Sequence, residues 1–190
     1  FSTAPMIFSS GLFLFVFMAF ISIYYLLHKS FRAKLTYVTL FSLFFYYKSS
    51  GIFFLLLVVS VILDYNLARW IEQAEDKRSK KILLVWSLIA NLGMLAYFKY
   101  TNYFAELLSG LTGTAIGPFD IFLPVGISFF TFQSLSYTID VYRGELKALH
   151  NIWDYAFFVT FFPQMVAGPI VRAVDFLPQI HRPAFVSRED

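Results

Sequence analysis

Cysteine is absent from the chain, which excludes disulfides and thiolate chemistry within it. Charge is scarce too, with Asp, Glu, Lys and Arg making up 14% of 190 residues. No phosphate-binding loop and no Gly-x-Ser-x-Gly elbow occurs, so the common nucleotide and serine-hydrolase signatures are excluded. The three histidines, His28, His150 and His181, lie in loops or at helix boundaries without a partner at ligand spacing, which argues against a metal site. What remains is apolar. At 58% hydrophobic residues and a mean hydropathy of +0.66, the chain carries more apolar surface than a soluble domain of its size can bury. It reads as an all-α, polytopic integral membrane protein.

The aromatic content fits that reading. Twenty-five Phe suit a hydrocarbon interior, while 12 Tyr and 3 Trp suit the headgroup level, where pairs such as Tyr24-Tyr25 and Tyr46-Tyr47 end apolar runs. The net charge of +3 sits in short loops rather than on one amphipathic face, so it reads as topology-setting charge and not as a nucleic-acid footprint. Membrane segments are expected at 7–27, 35–47, 52–68, 82–98, 121–139 and 152–168 of a single membrane domain. Residues 28–34 and 69–81 are both rich in Lys and Arg and belong on the cytoplasmic side, which requires an even number of crossings between them. A hairpin with its tip near Lys48 satisfies this. Its first arm, 35–47, covers only about 20 Å of a roughly 30 Å core and must borrow flanking residues. Asp64 in the second arm reads as a helix-end residue at headgroup depth, with a functional carboxylate as the alternative. Residues 72–81 read as a charged cytoplasmic loop. Residues 100–120 contain no Lys or Arg and mark the outer side, and Gly110 to Gly117 reads as a flexible loop.

Polar side chains concentrate in the last third. Ser128, Thr131, Ser134 and Thr138 share one side of the 121–139 helix, and Gln133 and Ser136 fall elsewhere on it. A helix polar on more than one side belongs in the bundle interior, either lining a tunnel or bonding to its neighbours. Pro124 and Gly126 imply a bend or a broken first turn. In the segment 161–178, Pro163, Gln164, Gly168, Pro169, Arg172 and Asp175 interrupt an otherwise hydrophobic stretch. Such interruptions are tolerated at membrane depth only where they line an enclosed cavity. A broken or re-entrant segment is expected there, with Arg172 and Asp175 paired on one face of a following helix. Gln133, Tyr137, Asp140, Arg143, Pro163, Gln164, Gly168, Pro169, Arg172 and Asp175 form the candidate tunnel wall. Structural satisfaction of broken helices explains the same polar groups.

Two long stretches, LPVGISFFTFQSLSYTIDVYRGE at 123–145 and FFVTFFPQMVAGPIVRAVDFLPQI at 157–180, resemble the membrane-bound O-acyltransferase family, in its bacterial branch. MIFSSGLFLFVF at 6–17 and NLGMLAYFKYTNYF at 91–104 are similar to the same branch. The resemblance implies a ring-like helical bundle around a thin central region where donor and acceptor sites meet. It also implies transfer of an acyl group, here acetyl, from a cytoplasmic thioester such as acetyl-CoA or a carrier-bound ester toward hydroxyls of an exported polysaccharide such as alginate. An extracytoplasmic partner protein and residence in the bacterial inner membrane follow from it, with no bound cofactor. The family's catalytic histidine, a general base, lies in a Trp-His-x-Ser type motif downstream of the Gly-Pro-Ile segment. No catalytic residue is therefore assigned within these 190 residues, which read as the N-terminal portion of a longer acyltransferase, inactive alone. Gln164 stands where some members carry histidine, and a neutral amide hydrogen-bonds but is no base near pH 7. A transporter, a polysaccharide-export component and a noncatalytic scaffold subunit are the rival readings.

Overall fold

The computed structural model describes residues 11–27, 30–114, 117–166 and 171–180, and among these there is no strand. Eight helices follow in order: α1 Gly11–Leu26, α2 Phe31–Ser50, α3 Phe54–Gln73, α4 Lys77–Thr112, α5 Ile127–Arg143, α6 Ile152–Thr160, α7 Phe162–Val166 and α8 Ala173–Ile180. Their boundaries follow from local chemistry. Ser30 caps α2 by accepting from the Ala33 N–H, and Gly51 ends it at φ 59° before a single 3-10 turn, Gly51–Phe53, turns the chain into α3. α5 starts only at Ile127, after Pro124 and a left-handed Gly126 at φ 73°, so the residues from Ile121 to Val125 lie outside it. α6 stops at Thr160 because Pro163 has no N–H to bond the Val159 carbonyl and would clash with it. The chain breaks at Phe161 and restarts with proline in the tolerated first turn of α7.

Two expected loops are shorter than the sequence implies. Most of the charged run 72–81 is helical, because Asp76 caps α4 by accepting the Ser79 N–H at 2.7 Å, leaving Ala74 to Asp76 as the link. That same backbone bond holds the Asp76 carboxyl below its usual range. α4 also runs through Gly110 to Thr112 and ends at Gly113, left-handed at φ 69°. Asn102 then anchors the returning chain, donating to the Phe119 carbonyl and accepting the Phe119 N–H, both at 2.9 Å.

Phe31–Gln73 and Lys77–Thr112 are long and apolar enough to cross a membrane. The burial pattern of α4 is inverted relative to a soluble helix. Trp86, Ile89 and Leu92 are exposed, while Ser87 and Asn91, with Leu95 one turn further on, form the buried stripe. Polar-in and apolar-out is the arrangement expected where the surroundings are lipid and buried polar groups join the helices.

The centre of that arrangement is Asp64. Rather than sitting at a helix end near the headgroups, it lies midway along α3 with no exposed surface. Asn91 donates its amide to both Asp64 carboxylate oxygens at 2.9 Å, and the Ser87 hydroxyl donates to Oδ1 at 2.7 Å. The Ser60 hydroxyl lies 3.4 Å from both Asp64 Oδ2 and Asn91 Oδ1. Ser134 of α5 stands beside the same carboxylate and accepts the Tyr155 hydroxyl of α6 at 3.2 Å. Tyr46 is likewise buried at 3% exposure, edge-on to Phe130, and does not belong to an interfacial belt.

Replacing Asp64 with alanine removes three short hydrogen bonds of about 0.6 kcal/mol each and strands two buried donors, a cost on the order of 2–3 kcal/mol. Thermal unfolding of the detergent-solubilised protein is expected to show a midpoint lowered by several degrees for Asp64→Ala and by less for Asp64→Asn, which keeps an acceptor in place. Equal, unchanged midpoints would contradict the role of this carboxylate.

Candidate functional site: a polar seam along helix α5

Helix α5 buries ten of its residues, polar and apolar alike, packing against α3, α4, α6, α7 and α8 and leaving Phe132 exposed. One flank, carrying Ser134, joins the Asp64 cluster. Gln133, Tyr137 and Asp140 are spaced four and three apart and line another flank. Here the sequence-predicted residues meet. The Gln133 amide donates to the Gln164 side-chain oxygen of α7 at 2.9 Å, and Gln133 is 2% exposed. Two turns further on, Asp140, equally buried, accepts from the Arg172 guanidinium at 2.8 Å. Arg172 also reaches Glu145 at 3.1 Å. The hydrogen bond and charge of Asp140, with Glu145 adding to them, raise the guanidinium further above its already high range.

This overturns the expected Arg172–Asp175 pair. Arg172 precedes α8 and turns back toward the end of α5, while Asp175 lies exposed in the first turn of α8. Helix spacing alone did not reveal Glu145, which the left-handed Gly144 brings back beside Asp140. Arg143 is exposed and makes only a long contact, 3.9 Å, with Glu145. Tyr137 is fully buried, and its hydroxyl accepts the Leu149 N–H at 2.8 Å, tying down the loop after α5. Tyr65 secures the same loop by donating to the His150 carbonyl at 2.7 Å, while His150 itself is exposed. Pro163 sits in the first turn of α7. Gly168 and Pro169 lie outside the described residues.

Two acceptors on this flank lack partners among the described residues: Oε1 of Gln133 and Oδ2 of Asp140, both buried. An unmet buried acceptor costs free energy, so each marks a place where a donor from water, substrate or another part of the protein belongs. They belong to the two residues that bond Gln164 and Arg172. The start of α7 is itself anchored, its Phe162 N–H donating to Ser42 of α2 at 3.3 Å. The seam can hold hydrogen-bonding and cationic groups in register. It contains no nucleophile–base pair among the described residues.

Asp64, Ser60, Ser87 and Asn91 are the polar residues that single-helix reading passed over. Their signal is the i, i+4 spacing of Ser60–Asp64 and of Ser87–Asn91 on two neighbouring apolar helices. Because Arg172 is half exposed and Asp140 is not, deleting the arginine leaves a buried carboxylate uncompensated, whereas neutralising exposed Glu145 removes only a screened contact. The unfolding midpoint is expected to fall by several degrees in Arg172→Ala and to hold within about a degree in Glu145→Gln. Equal losses would show that Asp140 is not the controlling partner.

The chain matches no family profile and no solved structure. It is 37% identical over 183 residues to the probable alginate O-acetylase AlgI of Pseudomonas aeruginosa, an alignment that covers 93% of this chain and 35% of that protein. The AlgI of Azotobacter vinelandii gives 37% over 183 residues, with 93% and 36% covered. A peptidoglycan O-acetyltransferase of Helicobacter pylori gives 32% over 167 residues, with 75% and 32% covered. The chain thus spans about a third of the length of the curated relatives it matches. Identity of this extent makes it, over the region they share, a homologue of these bacterial O-acetylases, consistent with the resemblance of its motifs to the membrane-bound O-acyltransferase family.

Proposed function

We propose that this chain forms part of a multi-pass O-acetyltransferase of the bacterial inner membrane, and that the α5 seam walls the route along which an acetyl group passes. The donor in this reading is a cytoplasmic thioester, acetyl-CoA or a carrier-bound ester, and the acceptor is a hydroxyl of an exported polysaccharide. Alginate is the first candidate because most of the matched relatives carry that name. An extracytoplasmic partner would complete delivery to the polymer. The general base is assigned to another part of the protein, since a neutral amide such as Gln164 cannot take the hydroxyl proton.

The observation that carries this reading is the buried Oε1 of Gln133, which has no partner among the described residues and lies beside Gln164 on a largely buried helix. Among the described residues that acceptor has no donor, and a buried acceptor calls for one. A passage holding water or substrate supplies the donor. In this scheme Gln133 and Gln164 position the passing ester, and the Arg172 pair fixes the cytoplasmic end of the seam.

In the full-length protein, Gln133→Leu and Gln164→Leu are expected to lower the ester content of the exported polymer by about tenfold or more, the effect of misplacing a reacting group by a fraction of its contact distance. Membrane abundance should stay unchanged. Wild-type esterification in both variants would remove the seam from the route.

A further inference from the structure

Beside the seam lies a cavity of about 670 Å³ between α1, α2 and the α6–α8 segment, a size within the roughly 300–1,000 Å³ of ligand pockets. α7 divides the two: Phe162 and Pro163 face the cavity, while the next residue, Gln164, bonds to Gln133. The lining is aromatic. Phe20 meets Phe162 edge-on at 5.9 Å and tilts against Phe41 at 4.3 Å, and Phe17 and Phe176 extend the wall. Among the described residues one charged side chain lines it, Lys34 in the first turn of α2. Its ammonium lies 4.7 Å over the Tyr24 ring, and no carboxylate among the described residues pairs with it.

This chemistry selects among occupants. An extended peptide would bring backbone donors and acceptors that aromatic walls cannot satisfy, and an apolar helix would bring no anion for Lys34, whereas an anionic lipid supplies both a hydrocarbon chain and a negative charge. The lone ammonium at the rim calls for an anion. Lys34 belongs to the basic stretch 28–34, which the distribution of charge places on the cytoplasmic side, where the leaflet carries anionic lipid. We propose that this groove binds an anionic phospholipid of the cytoplasmic leaflet, one acyl chain among the phenylalanines and the phosphate at Lys34. The inference rests on the proposed membrane placement and not on the transfer reaction.

The test uses the full-length protein in nanodiscs containing phosphatidylglycerol or phosphatidylcholine, each with a photoactivatable diazirine in the acyl chain, with labelled peptides mapped by mass spectrometry. Phosphatidylglycerol is expected to label residues 17–24 and 157–163, and Lys34→Gln to cut that labelling roughly fivefold, the effect of one basic residue at an anionic surface. Labelling by phosphatidylcholine should be lower and insensitive to the substitution. Equal labelling by both lipids, or none in these peptides while the protein resists alkaline extraction from membranes, overturns the lipid site alone. Extraction of the protein by alkali overturns the membrane placement beneath it.

Discussion

A carboxylate with no access to water, held by side chains from a second helix, is the constraint on which the architecture depends. Asp64 brings a charge-bearing group into the middle of α3, and the surroundings must answer it with donors. α4 does so with Ser87 and Asn91, one turn apart, so the two helices can cross at only one height and one rotation. Ser134 and Tyr155 continue the polar contact into α5 and α6. Apolar packing alone would specify this register weakly, because helices in lipid gain little from hiding one hydrocarbon surface against another.

Fixing α5 by one flank determines what its other flank presents. Gln133 and Asp140, seven residues apart and so nearly eclipsed, bond Gln164 of α7 and Arg172 just before α8. The clamp on Tyr137 by Leu149, and on His150 by Tyr65, keeps the intervening loop from collapsing into that seam. In the proposed reading, acceptors that lack partners among the described residues, beside the break at Phe161, belong to a passage. The aromatic groove on the opposite side of α7 is its apolar counterpart.

Much of this was legible in the sequence, and the parts that were not share a cause. Hydropathy and composition identified helices, and polar residues on several sides of α5 placed it inside; Pro124 and Gly126 signalled a disturbed first turn, but the helix was expected from 121 and starts only at Ile127. Gln133, Gln164, Asp140 and Arg172 were singled out as isolated polar groups, but pairing is a property of two elements and spacing within one could not supply it. Hence Arg172 was matched to Asp175, its helical neighbour, instead of to Asp140 and Glu145 across the fold. Asp64 was misjudged for the same reason: its donors are 23 and 27 residues away. The capping of α4 by Asp76 converted a charged loop into a helix start, a local signal that composition concealed.

The central claim is that water and donor reach the seam at Gln133. The lack of native cysteine in this chain makes a direct measurement clean, because a single cysteine at position 133 in a full-length protein with any other cysteines removed reports on one site. Only a hydrated thiol ionises and reacts with a membrane-impermeant reagent. The account predicts labelling in the folded protein, slowed by saturating acetyl thioester, while a cysteine at the outward-facing Leu92 stays inert. A position 133 as inert as position 92 until the protein is unfolded would contradict it.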